Sequence, residues 1–390
     1  MFGLPLAVLL IGLISSPAWA APAGKLVAWG NNQYGQTNVP AGNDFVAIDA
    51  GQGYHTLALR SDGSLAGWGW NYGDPNLGTA DIFYGQAIVP PGNGFKAIAA
   101  GALHSLALKS DGSLVGWGCN TGPDGNFAGQ ATVPTGSDFM AIAAGDFHSL
   151  ALKSDGSLVA WGDNSVGQTN APAGNDFVAI ASGDGYNLAL QSDGSLVAWG
   201  EDNVGQVSRV PSGNDFVAIA GGWGQSLLLK TDGSLVGWGW NLYGQATPPP
   251  GTNFVASAAG WRHSLALKTD SSLVGWGWNY GEEAAGTGGI FYGQAIPPAG
   301  SNFVAISAGF QYSLAIQLAP EPPLLNIALV GNNVVLSWSA NDSAYTLEAK
   351  AGLSSSLNWS NVFGAPTIVG NQYTVTNSVA NVYQFYRLKK

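Results

Sequence analysis

The chain has 390 residues, 57 of them glycine and 15 tryptophan, and only 9% are charged. At 46% hydrophobic and 11% aromatic it can pack, which excludes a disordered polymer, and at roughly 150 residues per domain it has room for two or three domains. Lys and Arg number 13 against 24 Asp and Glu; this net charge of −11 has the wrong sign for a nucleic-acid partner, and the single cysteine, Cys119, excludes an internal disulfide framework.

The first element is an apolar run, LPLAVLLIGLI over Leu4 to Ile14, too short for a spanning helix, which needs about 20 residues. Ser15-Ser16-Pro17 and then Ala18-Trp19-Ala20 follow, a small-x-small cleavage signature. The leading Met1-Phe2-Gly3 lacks the usual Lys or Arg. Residues 1–20 therefore read as an export signal, with a mature chain starting near Ala21 and no transmembrane span. The protein is expected to be secreted or held at the cell surface.

Next comes a repeat. Trp-Gly recurs at Trp29, Trp68, Trp117, Trp161, Trp199, Trp238 and Trp276, with spacings of 39, 49, 44, 38, 39 and 38. Gly-Gln follows each, at Gly35, Gly85, Gly129, Gly167, Gly205, Gly244 and Gly293. Residues 141–162, AIAAGDFHSLALKSDGSLVAWG, show the unit: short alternating runs joined at Ser-Asp-Gly, which are strands linked by a tight turn. Such a unit cannot bury both faces alone, so copies must stack. Seven copies of about 40 residues suit a closed β-propeller. Lys25 to Gly30 is the last strand of a repeat without its first two, and residues 303–317 are first strands without a last. Joining them completes a seventh blade. The fold expected for residues 24–318 is all-β, a seven-bladed β-propeller closed by its two ends.

The phrases G-x-x-H-S-L-A-L and W-G-x-N-x-x-G-Q resemble the regulator of chromosome condensation repeat family. In repeat style the chain is closest to bacterial secreted members such as β-lactamase inhibitory propellers. The resemblance implies a seven-bladed ring and a protein-binding role. It also raises inhibition of an enzyme such as a β-lactamase as an alternative. It carries over no contact residues.

Most polar residues sort into repeat columns. His55, His104, His148 and His263 stand two residues before the same Leu, where other copies have Tyr186, Gln225 and Tyr312. A column that accepts Tyr and Gln is a structural hydrogen-bonding position, and ring symmetry would spread its members too widely for one metal ion. Asp62, Asp111, Asp155, Asp193, Asp232 and Asp270 are turn formers. Arg60, Lys109, Lys153, Lys230 and Lys268, two residues upstream, are expected to soften their charge. Asp44, Asp138, Asp176 and Asp215 belong to an x-Asp-Phe lead-in to the next blade. No convergent carboxylate pair or nucleophile motif stands out from these columns. Hence no catalytic residues, no metal and no cofactor are expected, and the protein reads as a non-enzyme.

Variation is confined to one end of the blades. In an up-down-up meander the turn after Ala-Gly and the loop after Trp-Gly emerge together, and the uniform Ser-Asp-Gly turns emerge opposite. The Trp-to-Gln loop spans seven positions in the basic unit, thirteen after Trp117, and eighteen after Trp68 and Trp276. The two longest, WGWNYGDPNLGTADIFYGQ and WGWNYGEEAAGTGGIFYGQ, are near copies and read as a duplicated functional loop. Aromatic residues collect at the same end: Tyr54, Phe147, Trp223, Trp261 and Phe310 in the Ala-Gly turns, and Trp70, Trp240 and Trp278 two residues after the repeat Trp. These eight are the expected partner-binding residues, since exposed aromatic side chains anchor protein interfaces and also stack on sugars. Acids share the face: Asp74, Asp81, Asp124, Asp146, Asp163, Asp184, Glu201, Asp202, Glu282 and Glu283, with Arg262 opposing. Cys119 is a small filler in the Trp70 column.

Ala319-Pro320-Glu321-Pro322-Pro323 reads as a stiff linker. Beyond it NVVLSWS, AYTLEAK, NQYTVTN and QFYRLKK alternate, so residues 324–390, with Trp338 and Trp359, are expected to form a small β-sandwich-like module of immunoglobulin-like pattern. Its basic end, Arg387-Leu388-Lys389-Lys390, suggests attachment or sorting. The whole is expected to be a monomer that binds a macromolecule, a protein before a glycan.

Overall fold

The computed structural model describes residues 22–72, 82–281, 289–319, 324–331, 333–339, 346–350, 360–361, 366–370, 372–378 and 385–389. The export signal expected over 1–20 lies outside these, as do linker residues 320–323, Trp359, and the loop acids Asp74, Asp81, Glu282 and Glu283. The chain divides into two compact units, 1–319 and 320–390.

Every described element is a strand, and seven three-stranded antiparallel sheets make the first unit. Blade I is Phe45–Asp49, His55–Arg60 and Leu65–Gly69; blade II is Phe95–Ala100, His104–Lys109 and Leu114–Gly118. Blade III is Phe139–Ala144, His148–Lys153 and Leu158–Gly162; blade IV is Phe177–Ser182, Tyr186–Gln191 and Leu196–Gly200. Blade V is Phe216–Gly221, Gln225–Lys230 and Leu235–Gly239; blade VI is Phe254–Ala259, His263–Lys268 and Leu273–Gly277. Blade VII joins Phe303–Ala308 and Tyr312–Gln317 to Lys25–Gly30 from the other end of the chain, in register from Lys25 opposite Gln317 to Gly30 opposite Tyr312.

First strands of neighbouring blades pack on one another all the way round, and that of blade VII meets that of blade I, so they line the axis. Middle strands are buried almost throughout, and the outer, Trp-bearing strands are largely half-buried. Each core cluster straddles two blades. Phe45 and Ile48 of blade I pack with Leu26, Leu314 and Ile316 of blade VII, and Leu150 and Leu152 of blade III with Phe177, Ile180 and Trp199 of blade IV. Alanine between these larger groups lets the sheets approach closely, and at about 25 cal/mol per Å2 of apolar surface this inter-blade burial is the main force holding the ring.

Gly-Gln has its reason in a polar relay between blades. The buried carbonyl of Gln86 accepts both the Trp117 indole N–H at 2.9 Å and the Ser105 hydroxyl at 2.8 Å. Gln130, Gln245 and Gln294 do the same for Trp161 and Ser149, Trp276 and Ser264, and Trp29 and Ser313. With each serine proton so committed, the histidine ring of the preceding blade must donate through Nε2–H. His55 reaches Ser105 and His104 reaches Ser149, both at 2.9 Å, and His263 reaches Ser313 at 2.7 Å. His148 donates to the Asn187 amide oxygen at 2.9 Å. Gln225 substitutes by donating to the Gly260 carbonyl, and Tyr186 by meeting Ser226. Burial holds His55 and His148 down to about 4, and His104 and His263 down to about 3, so all four are neutral near pH 7.

Two glycines of each repeat are required by close approach. At Trp-Gly, Gly69 has φ +96° and a Cβ there would lie 2.4 Å from the Tyr54 carbonyl oxygen. At Ala-Gly, a Cβ on Gly145 would lie 2.2 Å from the His148 ring.

At the opposite end each turn aspartate accepts the N–H and hydroxyl of the serine two residues on, as Asp155 does from Ser157 at 2.9 and 2.6 Å. That serine contact holds Asp62, Asp111, Asp155, Asp193, Asp232 and Asp270 below the usual carboxylate range, with the upstream cations Arg60, Lys109, Lys153, Lys230 and Lys268 adding to five of them. The ion pairs of these cations are made with other acids. Arg60, Lys153 and Lys230 bridge the lead-in acids Asp44, Asp138 and Asp215, because the strand pairing sets Phe45, Phe139 and Phe216 directly opposite these cations.

The second unit holds two antiparallel sheets. One runs Asn326–Val330, Asn333–Ser339, Gln372–Ser378, Thr367–Val369; the other runs Ser360–Asn361, Thr346–Lys350, Phe385–Lys389. Leu336, Trp338 and Val375 of the first share a core with Leu347 of the second. The basic end is partly engaged within the unit: Arg387 and Lys389 bridge the buried Glu348 carboxylate at 2.7 and 3.3 Å.

Candidate functional site

The variable turns and loops are stitched together by one recurring bond. The residue two after each repeat Trp donates its N–H to the carbonyl of the last residue of the Ala-Gly turn: Trp70 to Tyr54, Asp163 to Phe147, Glu201 to Gly185, Trp240 to Gly224 and Trp278 to Arg262, at 2.8–3.0 Å. All eight expected binding residues therefore lie at one end of the ring.

Rings from different blades form a belt over blades V, VI, VII and I. Trp223 meets Trp240 edge-on with centroids 4.9 Å apart. Trp261 stacks on Phe310 at 4.4 Å, and Phe310 meets Tyr54 at 4.9 Å. The Arg262 guanidinium lies 3.5 Å over Trp261 and also faces Trp240 and Tyr243 at 5.2 and 5.3 Å. Trp261 is only 3% exposed, so it supports the belt from beneath; Tyr54, Trp70, Phe147, Trp223, Trp240, Trp278 and Phe310 are half-buried. Sequence reasoning missed Tyr34, Tyr72, Phe83, Tyr243, Tyr280 and Phe291, which complete the belt. Tyr34 and Tyr243 hold the position before Gly-Gln and pack on the next blade's Trp70 and Trp278 at 4.1 and 4.2 Å. That recurring position was the available signal.

Blades III and IV carry acids at the same end. Asp146 donates its backbone N–H to the Asp184 carbonyl at 3.1 Å, and the Asp184 carboxyl bonds the Asp146 side chain and the Trp223 side chain. Burial pushes Asp184 above the usual carboxylate range, and burial plus the neighbouring Asp184 pushes Glu201 up. Three acids gathered on this side attract cationic groups.

One acid that sequence reasoning missed is Asp49, alone among small residues in its column (Ala99, Ala143, Ala181, Ala220, Ala258, Ser307). Its carboxyl accepts the Ala100 N–H at 2.9 Å and the Ser307 hydroxyl at 3.4 Å, which ties blade I to blades II and VII; burial pushes it up. Among the described residues no three His, Cys, Asp or Glu converge as a metal site. Cys119 is buried, its sulfur accepting the Thr121 N–H at 3.2 Å.

The sequence model of the regulator of chromosome condensation (RCC1) repeat matches residues 45–73, 95–122, 141–168, 216–245 and 255–282, which fall on blades I, II, III, V and VI. No curated protein sequence matches the chain. Among solved structures, Prp20p of Saccharomyces cerevisiae is similar at TM-score 0.59 and 21% identity, covering 77% of this chain and 93% of its own. Human WBSCR16 is similar at TM-score 0.58 and 16% identity, covering 76% and 100%. The ectodomain of the Physcomitrella patens receptor kinase CR4 is similar at TM-score 0.54 and 20% identity, covering 74% and 76%. At these identities the likeness is one of fold.

Proposed function

Taking the chain as a ring of regulator of chromosome condensation repeats, we propose that it is a non-catalytic scaffold, exported through residues 1–20. It binds a protein partner through the end that bears the aromatic belt and the Asp146, Asp184 and Glu201 acids. One observation carries this reading: the two ends of the ring differ in kind. One is a set of near-identical serine-capped aspartate turns, and the other concentrates Trp, Tyr and Phe from four adjacent blades beside an acidic sector. Half-buried aromatic rings fixed by neighbours lose little entropy on binding, and acids nearby speed the encounter with a cationic partner. Structures of Prp20p are described with binding to Gsp1p and histones and, separately, with bound Kap60, which agrees with a propeller used for protein contacts.

The test is paired capture by the full chain. A Trp223→Ser/Trp240→Ser variant alters the belt, and a Ser110→Lys/Ser154→Lys/Ser192→Lys variant alters the exposed turn end. A protein retained by the wild type and the turn variant, and lost from a belt variant of unchanged melting temperature, supports the reading. Loss from the turn variant alone sinks it. Mass spectrometry of the mature N-terminus tests export, with Ala21 expected as the first residue.

A further inference from the structure

A sheet edge invites pairing with another chain unless it is short, charged or covered. The second unit has two sheets and so four edges, and it guards three of them. Thr367–Val369 is three residues long and Ser360–Asn361 two, while Phe385–Lys389 carries Arg387 and Lys389. Asn326–Val330, the remaining edge, has neither device. All five of its residues are exposed, with Ile327 at 60%, Leu329 at 71% and Val330 at 59%. No charged residue occurs from 322 to 341, and among the described residues no strand pairs with its outer side.

The register shows which way its apolar side chains point. Ile327 stands opposite Leu336 and Leu329 opposite Val334, and directly opposed residues share a face. Leu336 is fully buried in the core between the two sheets, and Val334 and Leu325 pack against that core. Ile327 and Leu329 therefore lie on the core face of the four-stranded sheet, where the second sheet leaves it uncovered. They flank Ala328, so the strand has nearly the same apolar pattern read in either direction.

We infer that the protein dimerises through this edge: two copies of Asn326–Val330 pair antiparallel about a two-fold axis at Ala328, in place of the monomer expected from the sequence. In that register Ala328 faces Ala328, and Ile327 of each copy faces Leu329 of the other. Four aliphatic side chains then close into one strip on the core face, and the two four-stranded sheets become one of eight strands. Charge favours a second copy at this place. A chain of net charge −11 repels its own copies over most of its surface, and a neutral stretch is where two can approach at least cost. Symmetry supplies the matching apolar pattern that a foreign strand would have to carry by itself, and a single pairing covers both open edges. The contact is smaller than the roughly 1,200 Å2 of a standard interface, so half-dimerisation is expected at about 10–100 µM. The inference rests on the second unit alone and is independent of the binding end of the ring.

Sedimentation equilibrium of the full chain across that range is the test. Wild type should pass from monomer to dimer and stop there. Ile327→Lys/Leu329→Lys sets like charges opposite each other and should stay monomeric. Ile327→Glu/Leu329→Lys sets each Glu opposite a Lys of the other copy, and should dimerise at least about 10-fold more tightly than the doubly basic variant. Ala328→Cys places two thiols across the axis, at a spacing a disulfide can bridge, so oxidised glutathione should yield a covalent dimer; the native Cys119 is buried. Melting temperatures of all three variants should match wild type, because the positions are exposed. A wild type that is monomeric throughout overturns the inference, as does a dimer that survives Ile327→Lys/Leu329→Lys. Monomers from both double variants, or no disulfide from Ala328→Cys, overturn the two-fold register and the inference with it. None of these outcomes bears on the aromatic belt, which the Trp223→Ser/Trp240→Ser capture tests separately.

Discussion

The hydroxyls of Tyr312 and Thr56 meet at 2.9 Å across the seam where the last blade joins the first. The Tyr312 phenol also donates to the His55 carbonyl, so a phenol closes the ring where histidines link most other blades. This seam makes ring stability depend on contacts between the two ends of the repeat array. Truncation to residue 31, which removes Lys25–Gly30 and with it Leu26 from the closing core, should abolish the cooperative thermal transition of the ring. Differential scanning calorimetry would show it, and an undiminished transition would mean blade VII stands on two strands.

The histidine relay sets an acid limit. Each of the four rings titrates near 6.5 when unfolded and at about 3 to 4 when folded, so the unfolded chain binds the extra protons first. Stability is full above pH 6.5 and falls from there toward pH 4, by about 1.4 kcal/mol per pH unit for each histidine. The raised carboxyls Asp49, Asp184 and Glu201 act in the opposite direction at the low end of that window. Melting curves at pH 5 and pH 7 should differ clearly, and His104→Gln should reduce the difference by about a quarter.

His104→Gln should also fold, because Gln225 already serves in that column, whereas His104→Ala leaves Ser149 with one partner fewer and opens a cavity beside Gly101. A loss of about 2–4 kcal/mol is expected for alanine and about half that for glutamine. Urea titration of the two variants separates the hydrogen bond from the packing.

Ser271 stands where the other turns have glycine and adopts φ +61°. A side chain there is strained by about 1 kcal/mol, so Ser271→Gly should raise the melting temperature by a few degrees. A drop would show that the serine side chain contributes more than its backbone costs.

Trp261 and Phe83 separate support from contact. Trp261→Ala removes a buried ring stacked on Phe310 and under Arg262, and should cost about 3–5 kcal/mol. Phe83→Ser, at an exposed position, should leave stability within about 0.5 kcal/mol. Thermal melts of both variants check this directly.

The ring was readable from the chain because its repeat is written in every layer. Trp-Gly, Ala-Gly and Gly-Gln each answer to one contact between blades, and Val27 and Trp29 already read as a strand seeking the last repeat. The binding end was readable only residue by residue. The columns identified Trp70 and Trp278 as variable, but their partners Tyr34 and Tyr243 come from the loop of the preceding blade, and nothing within one repeat pairs them. The same limit applied to Arg60, Lys153 and Lys230, which stand near the turn aspartates in sequence but bridge the lead-in acids through the bulged pairing of first and middle strands. Asp146 and Asp184 lie in separate repeats, and only ring curvature brings their carboxyls together.

The closing strand also has a cost in time. Trp29 finds its acceptor 265 residues later, at Gln294, so Lys25–Gly30 leaves the ribosome first and waits for nearly the whole ring before it can pair. Until then both ends of the growing array expose unpaired strand edges, and the loop to be closed is as long as the domain. Folding of this ring is therefore expected to be limited by its final blade, and a crowded chain is most vulnerable to pairing with another copy through that one strand.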